Sequence, residues 1–335
     1  KNSSRKASAT PKAKATAKSA QRAKSTSAKS AKAKSKTSVS TGPYIVTSPE
    51  KVLFPEEGYT KQDLADYYAS VEERAYPWMA DRPLTLVRCP AGRKNPCFYQ
   101  RHNKVGEMPG IEPVDVDIKG GNETYIYMAS PEGLRTLVQQ STLEIHGWQC
   151  RAHDVEHPDK MVFDIDPSPE VGWTEIIAAA KTVKALLEKC GFETFPMTTG
   201  GKGLHVVVPL KPKAGWEEVN AFAEAIARFL ESSEPERFTA NLSKKKRVGR
   251  VFVDYLRNHK TASAVLPYSS RARTGATVAT PVTWKDVTPR LDPSKFTIKT
   301  IPARISRQKQ DPWADFDKAR RELVLQDVIK QLQED

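Results

Sequence analysis

The chain of 335 residues has few cysteines and no long apolar segment. Its four cysteines include no C-x-x-C pair, which argues against a zinc ribbon and a disulfide framework and is consistent with a reducing compartment. No run of eighteen apolar residues occurs, so we expect no helix that spans a membrane. These absences favour a cytoplasmic protein that binds neither structural zinc nor a membrane.

Acidic and aromatic residues are missing from the first part of the chain. Residues 1–41 contain twelve Lys and Arg but no Asp, Glu, Phe, Tyr or Trp, and they carry +12 of the formal net charge of +13. A segment of Lys, Ala, Ser and Thr cannot bury enough apolar surface to fold. We predict that residues 1–41 are a disordered basic linker or tail with weak, salt-dependent affinity for nucleic acid; a solvated spacer is the alternative. Residues 42–335 are long enough for one large domain or two lobes that share a core.

Apolar periodicity in residues 42–335 predicts helices and strands that alternate irregularly. This order is typical of an α+β fold with an antiparallel or mixed sheet. Helices are predicted over 61–79, 131–140 (with Ser130 as the cap and Pro131 at the first position), 173–190, 217–231 and 317–333. Strands are predicted over 84–88, 97–101, 124–128, 143–148, 161–166, 195–199, 204–210 and 251–255.

Three aspartates follow short apolar runs. Asp164 and Asp166 close the run 161–163, and residues two apart on a strand project from the same face. Asp254 ends the run 251–253 and can reach the same place from a neighbouring strand. Carboxylates suit hard cations such as Mg²⁺ or Mn²⁺, and two of them on one face repel each other without a cation. The alternatives are an exposed strand face and a D-x-D phosphatase, although the proline that follows Asp166 is unlike the phosphatase pattern.

A glycine-rich turn, Gly200 to Gly203, includes Lys202 and precedes His205. It lacks the G-x-x-x-x-G-K-[ST] spacing and a strand is predicted after it, so it is not a Walker A loop. Its backbone N–H groups and positive charge are suited to a polyphosphate. The alternatives are a glycine hairpin with a solvent-facing lysine and a histidine buried in a strand. Together with the three aspartates, the turn predicts metal-dependent nucleotidyl transfer.

Several segments resemble the polymerase domain of bacterial DNA ligase D, a member of the archaeo-eukaryotic primase superfamily. The three central segments are MVFDIDP at 161–167, TTGGKGLH at 198–205 and VDYLRN at 253–258. Further similar segments are PEKVLFP at 49–55, LVRCP at 86–90, CFYQ at 97–100 and PYSSRAR at 267–273. The resemblance therefore covers nearly all of residues 44–300.

The resemblance implies a primase-like, two-lobed fold in which a central sheet carries a site for two Mn²⁺ or Mg²⁺ ions, with flanking helices. It implies a template-directed polymerase that fills and extends DNA ends with NTPs or dNTPs during non-homologous end joining, located in the bacterial cytoplasm at the nucleoid. The implied partners are DNA ends with a recessed 5′-phosphate, ligase and nuclease modules of the same polypeptide, and an end-binding protein of the Ku type. A Mg²⁺-dependent phosphohydrolase with Asp164 as nucleophile and a non-catalytic module that binds DNA ends remain as alternatives.

The resemblance also assigns roles to individual residues. Those expected to hold the metals are Asp164, Asp166 and Asp254. Those expected to bind the nucleotide are His146, Thr199, Gly201, Lys202, His205 and Arg271. Those expected to contact DNA are Lys51 and Lys61 at the 5′-phosphate, Phe98 and Tyr99 stacked on template bases, and the loop residue Arg247. Thr199 replaces a more usual Ser and Tyr99 a more usual Phe, and the two aromatic residues could instead be core strand residues.

Overall fold

A computed structural model describes residues 44–102 and 108–334. The basic segment predicted over residues 1–41 lies outside these ranges. None of the helices in the described part of the chain is both long enough and apolar enough to cross a membrane.

Helices and strands of the described residues alternate irregularly, as predicted. The helices are α1 (Lys61–Met79), α2 (Glu132–Gln139), α3 (Trp173–Lys189), α4 (Trp216–Ser233), α5 (Ile301–Arg307) and α6 (Leu325–Glu334). The strands of the first half are β1 (Val52–Phe54), β2 (Tyr59–Thr60), β3 (Leu84–Arg88), β4 (Phe98–Gln100), β5 (Ile111–Ile118), β6 (Gly121–Met128) and β7 (Thr142–Gly147). The strands of the second half are β8 (Lys160–Pro167), β9 (Phe195–Thr198), β10 (Leu204–Pro209), β11 (Phe238–Thr239), β12 (Val251–Asp254), β13 (Ala264–Val265) and β14 (Thr280–Pro281).

The central sheet has the order β11-β12-β8-β10-β9-β14. It is mixed, because β11 and β12 are parallel whereas the other neighbouring pairs are antiparallel. Alternate residues of β8 and β10, such as Phe163 and Val206, join α3 and α4 in the main hydrophobic core. The residues between them, such as Val162 and Val207, belong to a second cluster, so the two faces of the sheet are distinct.

A second, antiparallel sheet has the order β13-β7-β3-β4. Its residues Leu86 and Ile145 belong to the same continuous core as Phe163 of the central sheet. The two sheets therefore share one core. An α+β fold with a mixed central sheet, as the sequence predicts, is confirmed.

Helix α1 has the predicted bounds because a capping box fixes its first turn. The Asp63 N–H donates to Thr60 Oγ1 at 3.2 Å, and the Thr60 N–H donates to Asp63 Oδ2 at 2.7 Å. In the second turn of the helix, Tyr67 Oη donates to the Tyr268 carbonyl at 2.7 Å, and Tyr68 Oη accepts from the Ser270 N–H at 3.1 Å. The helix thus holds the segment that leads to Arg271.

Two helix predictions are wrong in detail. The predicted helix over 317–333 begins only at Leu325, because the backbone of Arg321 pairs with the strand end at Leu210 and its carbonyl accepts from the Lys211 N–H at 2.8 Å. Ser130 does not cap α2 with its side chain; its carbonyl accepts from the Gly133 N–H at 2.9 Å, in the turn that precedes the helix.

The cysteine spacing argued against a disulfide framework, and the described residues contain one disulfide bond that the sequence analysis did not predict. Cys89 and Cys97 are bonded, with their Cα atoms 4.4 Å apart, and close the loop between β3 and β4. The absence of a C-x-x-C pair did not reveal this bond, because the two cysteines meet across a hairpin. The antiparallel register aligns Arg88 with Phe98 and so brings them together. Cys150 and Cys190 are buried and free.

Reduction of the Cys89–Cys97 bond should lower the free energy of unfolding by about 2–3 kcal/mol, because a short closed loop removes conformational entropy from the unfolded chain. Urea unfolding with and without dithiothreitol measures this difference. The exposed Cys97 allows a control, since a Cys97→Ser variant should unfold at the same urea concentration under both conditions. Equal stability of the oxidised and reduced wild-type protein would contradict the prediction.

Candidate active site

The site is built around Asp164 near the end of strand β8. Asp164 is aligned with Asp254 of β12 on one side and with His205 of β10 on the other. Residues paired in this way project from the same face of a sheet, and Asp166 projects from that face two positions further along β8. The structure therefore brings the aspartates to one strand-end region, beside a histidine.

The two aligned carboxylates share one guanidinium. Arg257 Nη2 lies 3.0 Å from Asp254 Oδ2 and 3.5 Å from Asp164 Oδ2. This contact is possible because a short 3₁₀ helix, Leu256–Asn258, directly follows β12 and turns the chain back towards the strand end. The Leu256 N–H also donates to Asp254 Oδ1 at 2.9 Å.

Burial affects the pKa of the two carboxyls in different ways. For Asp254, burial raises the pKa, and the positive Arg257 opposes this while the neighbouring Asp164 adds to it, so the pKa is above its usual value. For Asp164, burial acts to raise the pKa but is outweighed by His205, whose Nε2 lies 3.6 Å from Asp164 Oδ1, and then by Arg257; the pKa is below its usual value. The two carboxyl groups therefore differ in pKa, although both lie next to the same positive charge, that of Arg257.

The donor set fits a hard divalent cation in its chemistry, since the three aspartates offer only oxygen ligands. Asp166 is more exposed than the other two, and its Oδ2 lies 3.7 Å from Arg247 Nη1. Among residues 44–102 and 108–334, no three Asp, Glu, His or Cys side chains lie close enough together to form a complete metal cluster. The three aspartates share a face, but only Asp164 and Asp254 are direct neighbours.

The glycine-rich turn connects β9 to β10 and lies against the end of β8. Gly200 has a φ of +68°, a conformation that favours glycine. A Cβ at Gly203 would lie 2.7 Å from the Ile165 carbonyl oxygen, so only glycine allows this close approach. Thr199 Oγ1 donates to the Gly203 carbonyl at 3.2 Å and accepts from the Gly201 N–H at 3.3 Å, which closes the turn.

A cavity of about 320 Å³ lies between the glycine-rich turn and two of the three aspartates, Asp164 and Asp166; its lining does not include Asp254. Its lining includes most of the residues predicted to bind metal or nucleotide: His146, Asp164, Asp166, Thr199, Lys202, His205 and Arg271. Arg257, Gly203 and Arg273 line it as well. Gly201, which was also predicted to bind nucleotide, lines a neighbouring cavity instead. Lys202 is exposed and has no ion-pair partner among the described residues.

Glu144 is a buried residue of the site that the sequence analysis missed. It lies on β7, where its Oε2 is 2.8 Å from His146 Nε2 and 3.1 Å from Arg271 Nε, and its Oε1 accepts from the Ala272 N–H at 2.9 Å. Arg271 also donates to the Thr199 carbonyl. The Glu144 carboxylate thus holds in place two residues that are predicted to bind the nucleotide, His146 and Arg271. The sequence contained one indication of this role: Glu144 is an acidic residue in an apolar strand, two positions before His146 and therefore on the same face.

The pKa of Glu144 reflects these contacts. Burial acts to raise it, but the hydrogen bond with His146 and the charge of Arg271 lower it from 4.5 to about 2. Burial lowers the pKa of His146, against the opposing effect of Glu144. The pair is therefore a carboxylate that stays charged at neutral pH and an imidazole that resists protonation.

Lys51 and Lys61 lie at the same end of the β1–β2 hairpin. The Lys61 N–H donates to the Lys51 carbonyl at 2.8 Å, and Lys61 Nζ donates to the Thr47 carbonyl at 3.0 Å. Burial lowers the pKa of Lys61, and the charge of Lys51 lowers it further. Lys61 is buried, whereas Lys51 is exposed.

Of the remaining residues predicted to contact DNA, Phe98 and Tyr99 lie at the surface and Arg247 is half-buried. Phe98 and Tyr99 are 45% and 74% exposed, so the alternative that they are core residues is wrong. Arg247 lies with its guanidinium carbon 3.5 Å from the centre of the Phe252 ring, and its Nε donates to the Asn241 carbonyl at 3.0 Å. The loop that carries Arg247 is therefore held next to Asp166.

Comparisons with known proteins bear on this site. The sequence model of a family described as LigD, primase-polymerase domain, matches residues 60–313. The chain is 34% identical over 272 residues to the multifunctional non-homologous end joining protein LigD of Pseudomonas aeruginosa, covering 81% of this chain and 32% of that protein. It is 30% identical over 287 residues to the bifunctional LigD protein of Bacillus subtilis, covering 85% and 46%. The chain thus spans less than half the length of these curated relatives.

A solved structure is similar in fold. It is the polymerase domain from Mycobacterium tuberculosis Ligase D in complex with DNA, which matches with a TM-score of 0.76 and 32% identity. The match covers 82% of this chain and 98% of that chain. The primase-like fold predicted from the resemblance is confirmed by this match.

A Glu144→Gln substitution should destabilise the protein by roughly 3 kcal/mol at neutral pH, since a shift of one pKa unit corresponds to about 1.4 kcal/mol. Because the pKa of Glu144 is lowered on folding, its charge stabilises the fold above the unfolded value of 4.5 and loses this effect as the pH falls towards about 2. The difference in unfolding free energy between wild type and variant, measured by urea unfolding, should therefore shrink from pH 7 to pH 3. Glu193→Gln, at an exposed position, is the control, and a difference that does not change with pH contradicts the assignment.

Proposed function

This chain belongs to the family of LigD primase-polymerase domains, and we propose that it is a template-directed nucleotidyltransferase that extends DNA ends in non-homologous end joining. The observation that carries the proposal is the register that aligns Asp254, Asp164 and His205 next to the glycine-rich turn. Polymerases of this family are metal-dependent. No feature of the site favours a phosphohydrolase, and a module that only binds DNA has no use for aligned carboxylates.

The proposed reaction is attack of a primer 3′-hydroxyl on the α-phosphorus of a nucleoside triphosphate. Asp164, Asp166 and Asp254 would hold Mg²⁺ or Mn²⁺, which lowers the pKa of the hydroxyl and neutralises charge on the leaving group. Arg257 lies between two of these carboxylates and also lines the cavity, so it limits their repulsion and can contact phosphate.

The triphosphate would lie against the glycine-rich turn. Lys202 and Arg271 supply positive charge on the cavity wall, where negative charge grows as pyrophosphate leaves. His205 lies beside Asp164, between the carboxylates and the turn, and His146 lies on the second sheet, where Glu144 fixes its orientation. The hydroxyl of Thr199 closes the turn, since it donates to the Gly203 carbonyl and accepts from the Gly201 N–H.

DNA would be bound by groups outside the cavity. Lys51 and Lys61 would bind a recessed 5′-phosphate, which ties affinity to the structure of the end and not to its sequence. Phe98 and Tyr99 are exposed as stacking on template bases requires. Arg247 would connect this surface to Asp166.

Further partners are proposed from the relatives. Those relatives carry the descriptions multifunctional and bifunctional, and this chain covers 32% and 46% of two of them. We therefore propose that ligase and nuclease modules belong to the same polypeptide, that a Ku-type protein brings it to DNA ends, and that it works at the nucleoid.

Asp254→Asn should lower the rate of nucleotide addition at least a hundredfold, because a metal ligand supports the chemical step. Binding to a gapped duplex should stay within about threefold, since other groups hold the DNA. Primer extension with Mn²⁺ and a fluorescence-anisotropy titration measure the two quantities, and Asp117→Asn is an exposed control. Extension within tenfold of wild type would contradict the assignment of Asp254.

Lys51→Ala should weaken binding to a gapped duplex with a 5′-phosphate by about tenfold, because one charge-assisted contact is worth roughly 1.5 kcal/mol. Binding to the same duplex with a 5′-hydroxyl should hardly change. Lys94→Ala, at an exposed lysine of a nearby loop, is the matched control.

Deletion of residues 1–41 should have a different effect and weaken binding to both duplexes alike while flattening the salt dependence. Titrations at several salt concentrations compare the variants. Loss of the phosphate preference in the deletion but not in Lys51→Ala would show that the end-binding site is wrongly assigned.

A further inference from the structure

A second cavity of about 830 Å³ adjoins the active-site cavity. The residues of the glycine-rich turn divide between the two: Thr199, Lys202 and Gly203 line the active site, whereas Gly200 and Gly201 line the second cavity. Arg273 lines both cavities. The turn is therefore a thin wall between them, with one arginine at the common edge.

The second cavity is positively charged. Its ionisable lining residues are Arg93, Arg273, Arg290 and Asp292. The single carboxylate is already engaged, since Asp292 Oδ1 accepts from the N–H and the hydroxyl of Ser294 at 3.1 and 2.5 Å. When Asp292 and the Glu56 that pairs with Arg93 are set against the three arginines, an excess of one positive charge remains, and the lining has no acidic side chain besides Asp292.

The three arginines differ in how they are held. Arg93 is fixed by an ion pair with Glu56 and by a hydrogen bond from Nη2 to Thr274 Oγ1 at 3.1 Å. Its loop is closed by the Cys89–Cys97 bond. Arg273 and Arg290 are exposed and have no ion-pair partner among the described residues. One guanidinium is thus in a fixed position, and two are available to an anion.

Close packing places Arg273 at the wall. A Cβ added to Gly201 would lie 3.2 Å from Arg273 Cζ, so the guanidinium lies directly against the glycine backbone. Since Arg273 also lines both cavities, its guanidinium can contact an anion on either side of the turn. Guanidinium groups bind phosphate oxygens strongly and often through two hydrogen bonds.

We propose that the second cavity is an exit site for inorganic pyrophosphate, an inference that rests on the proposed function. In nucleotidyl transfer a bond forms between the primer 3′-oxygen and the α-phosphorus, the bond from the α-phosphorus to the oxygen that bridges it to the β-phosphorus breaks, and the hydroxyl proton passes to solvent. The product released on the side of the glycine-rich turn is pyrophosphate. Arg273 would transfer it to the cavity that Arg93 and Arg290 line, which opens to solvent.

Arg290→Gln tests the site without touching the active-site cavity, and Arg307→Gln is a control with the same loss of charge at an exposed position outside both cavities. Binding of inorganic pyrophosphate alone to the full chain, measured by calorimetry without DNA or nucleotide, should weaken about five- to tenfold in Arg290→Gln only. The inhibition constant of pyrophosphate in primer extension should rise by the same factor. The KM for the nucleotide and the Kd for a gapped duplex should stay within about twofold.

Each other outcome overturns the proposal. Unchanged pyrophosphate binding relative to Arg307→Gln means that the cavity does not hold this anion. An equal rise in the nucleotide KM means that the cavity holds the distal phosphates of the bound nucleotide, and a loss of duplex binding means that it contacts the DNA backbone. Failure of the proposed function is distinguishable, since wild-type protein would then lack primer extension whatever the calorimetry shows.

Discussion

The antiparallel register of three neighbouring strands is the constraint on which the site depends. It aligns Asp164 with Asp254 on one side and with His205 on the other, so two carboxylates are held side by side at a partly buried strand end. Such a pair repels itself and is poorly solvated, which makes positive charge a requirement of this arrangement. Arg257 supplies this positive charge within the protein. The repulsion between the two carboxylates also makes this face of the sheet suitable for a divalent cation.

The second sheet stabilises the other half of the site through a single carboxylate. Glu144 holds His146 and Arg271, and Arg271 in turn donates to the carbonyl of Thr199 in the glycine-rich turn. A further buried pair connects the sheets, since Nη1 and Nη2 of Arg82 each donate at 2.6 Å to an oxygen of the Asp159 carboxylate, just before β8. Buried charges of this kind are costly to separate, so the pair fixes the two sheets, and with them the aspartates and Glu144, relative to each other.

The glycine-rich turn packs closely against its neighbours because three of the four residues 200–203 have no side chain. Gly203 lies against the end of β8, and Gly201 lies against the guanidinium of Arg273. Phe98 and Tyr99 are exposed on β4, and Lys51 and Lys61 flank the β1–β2 hairpin. These are the groups that we propose to bind a DNA end.

The sequence alone determined the features that depend on neighbours along the chain. Strand alternation placed Asp164 and Asp166 on one face, and the Thr60–Asp63 capping box set the start of α1. Contacts between distant segments were decided only by the tertiary structure. Examples are the link from Glu144 to Arg271, the disulfide across the β3–β4 hairpin and the pairing of Arg321 that delays the last helix. Local periodicity carries no information on which distant groups meet, because their pairing follows from packing and from the need to satisfy buried charge.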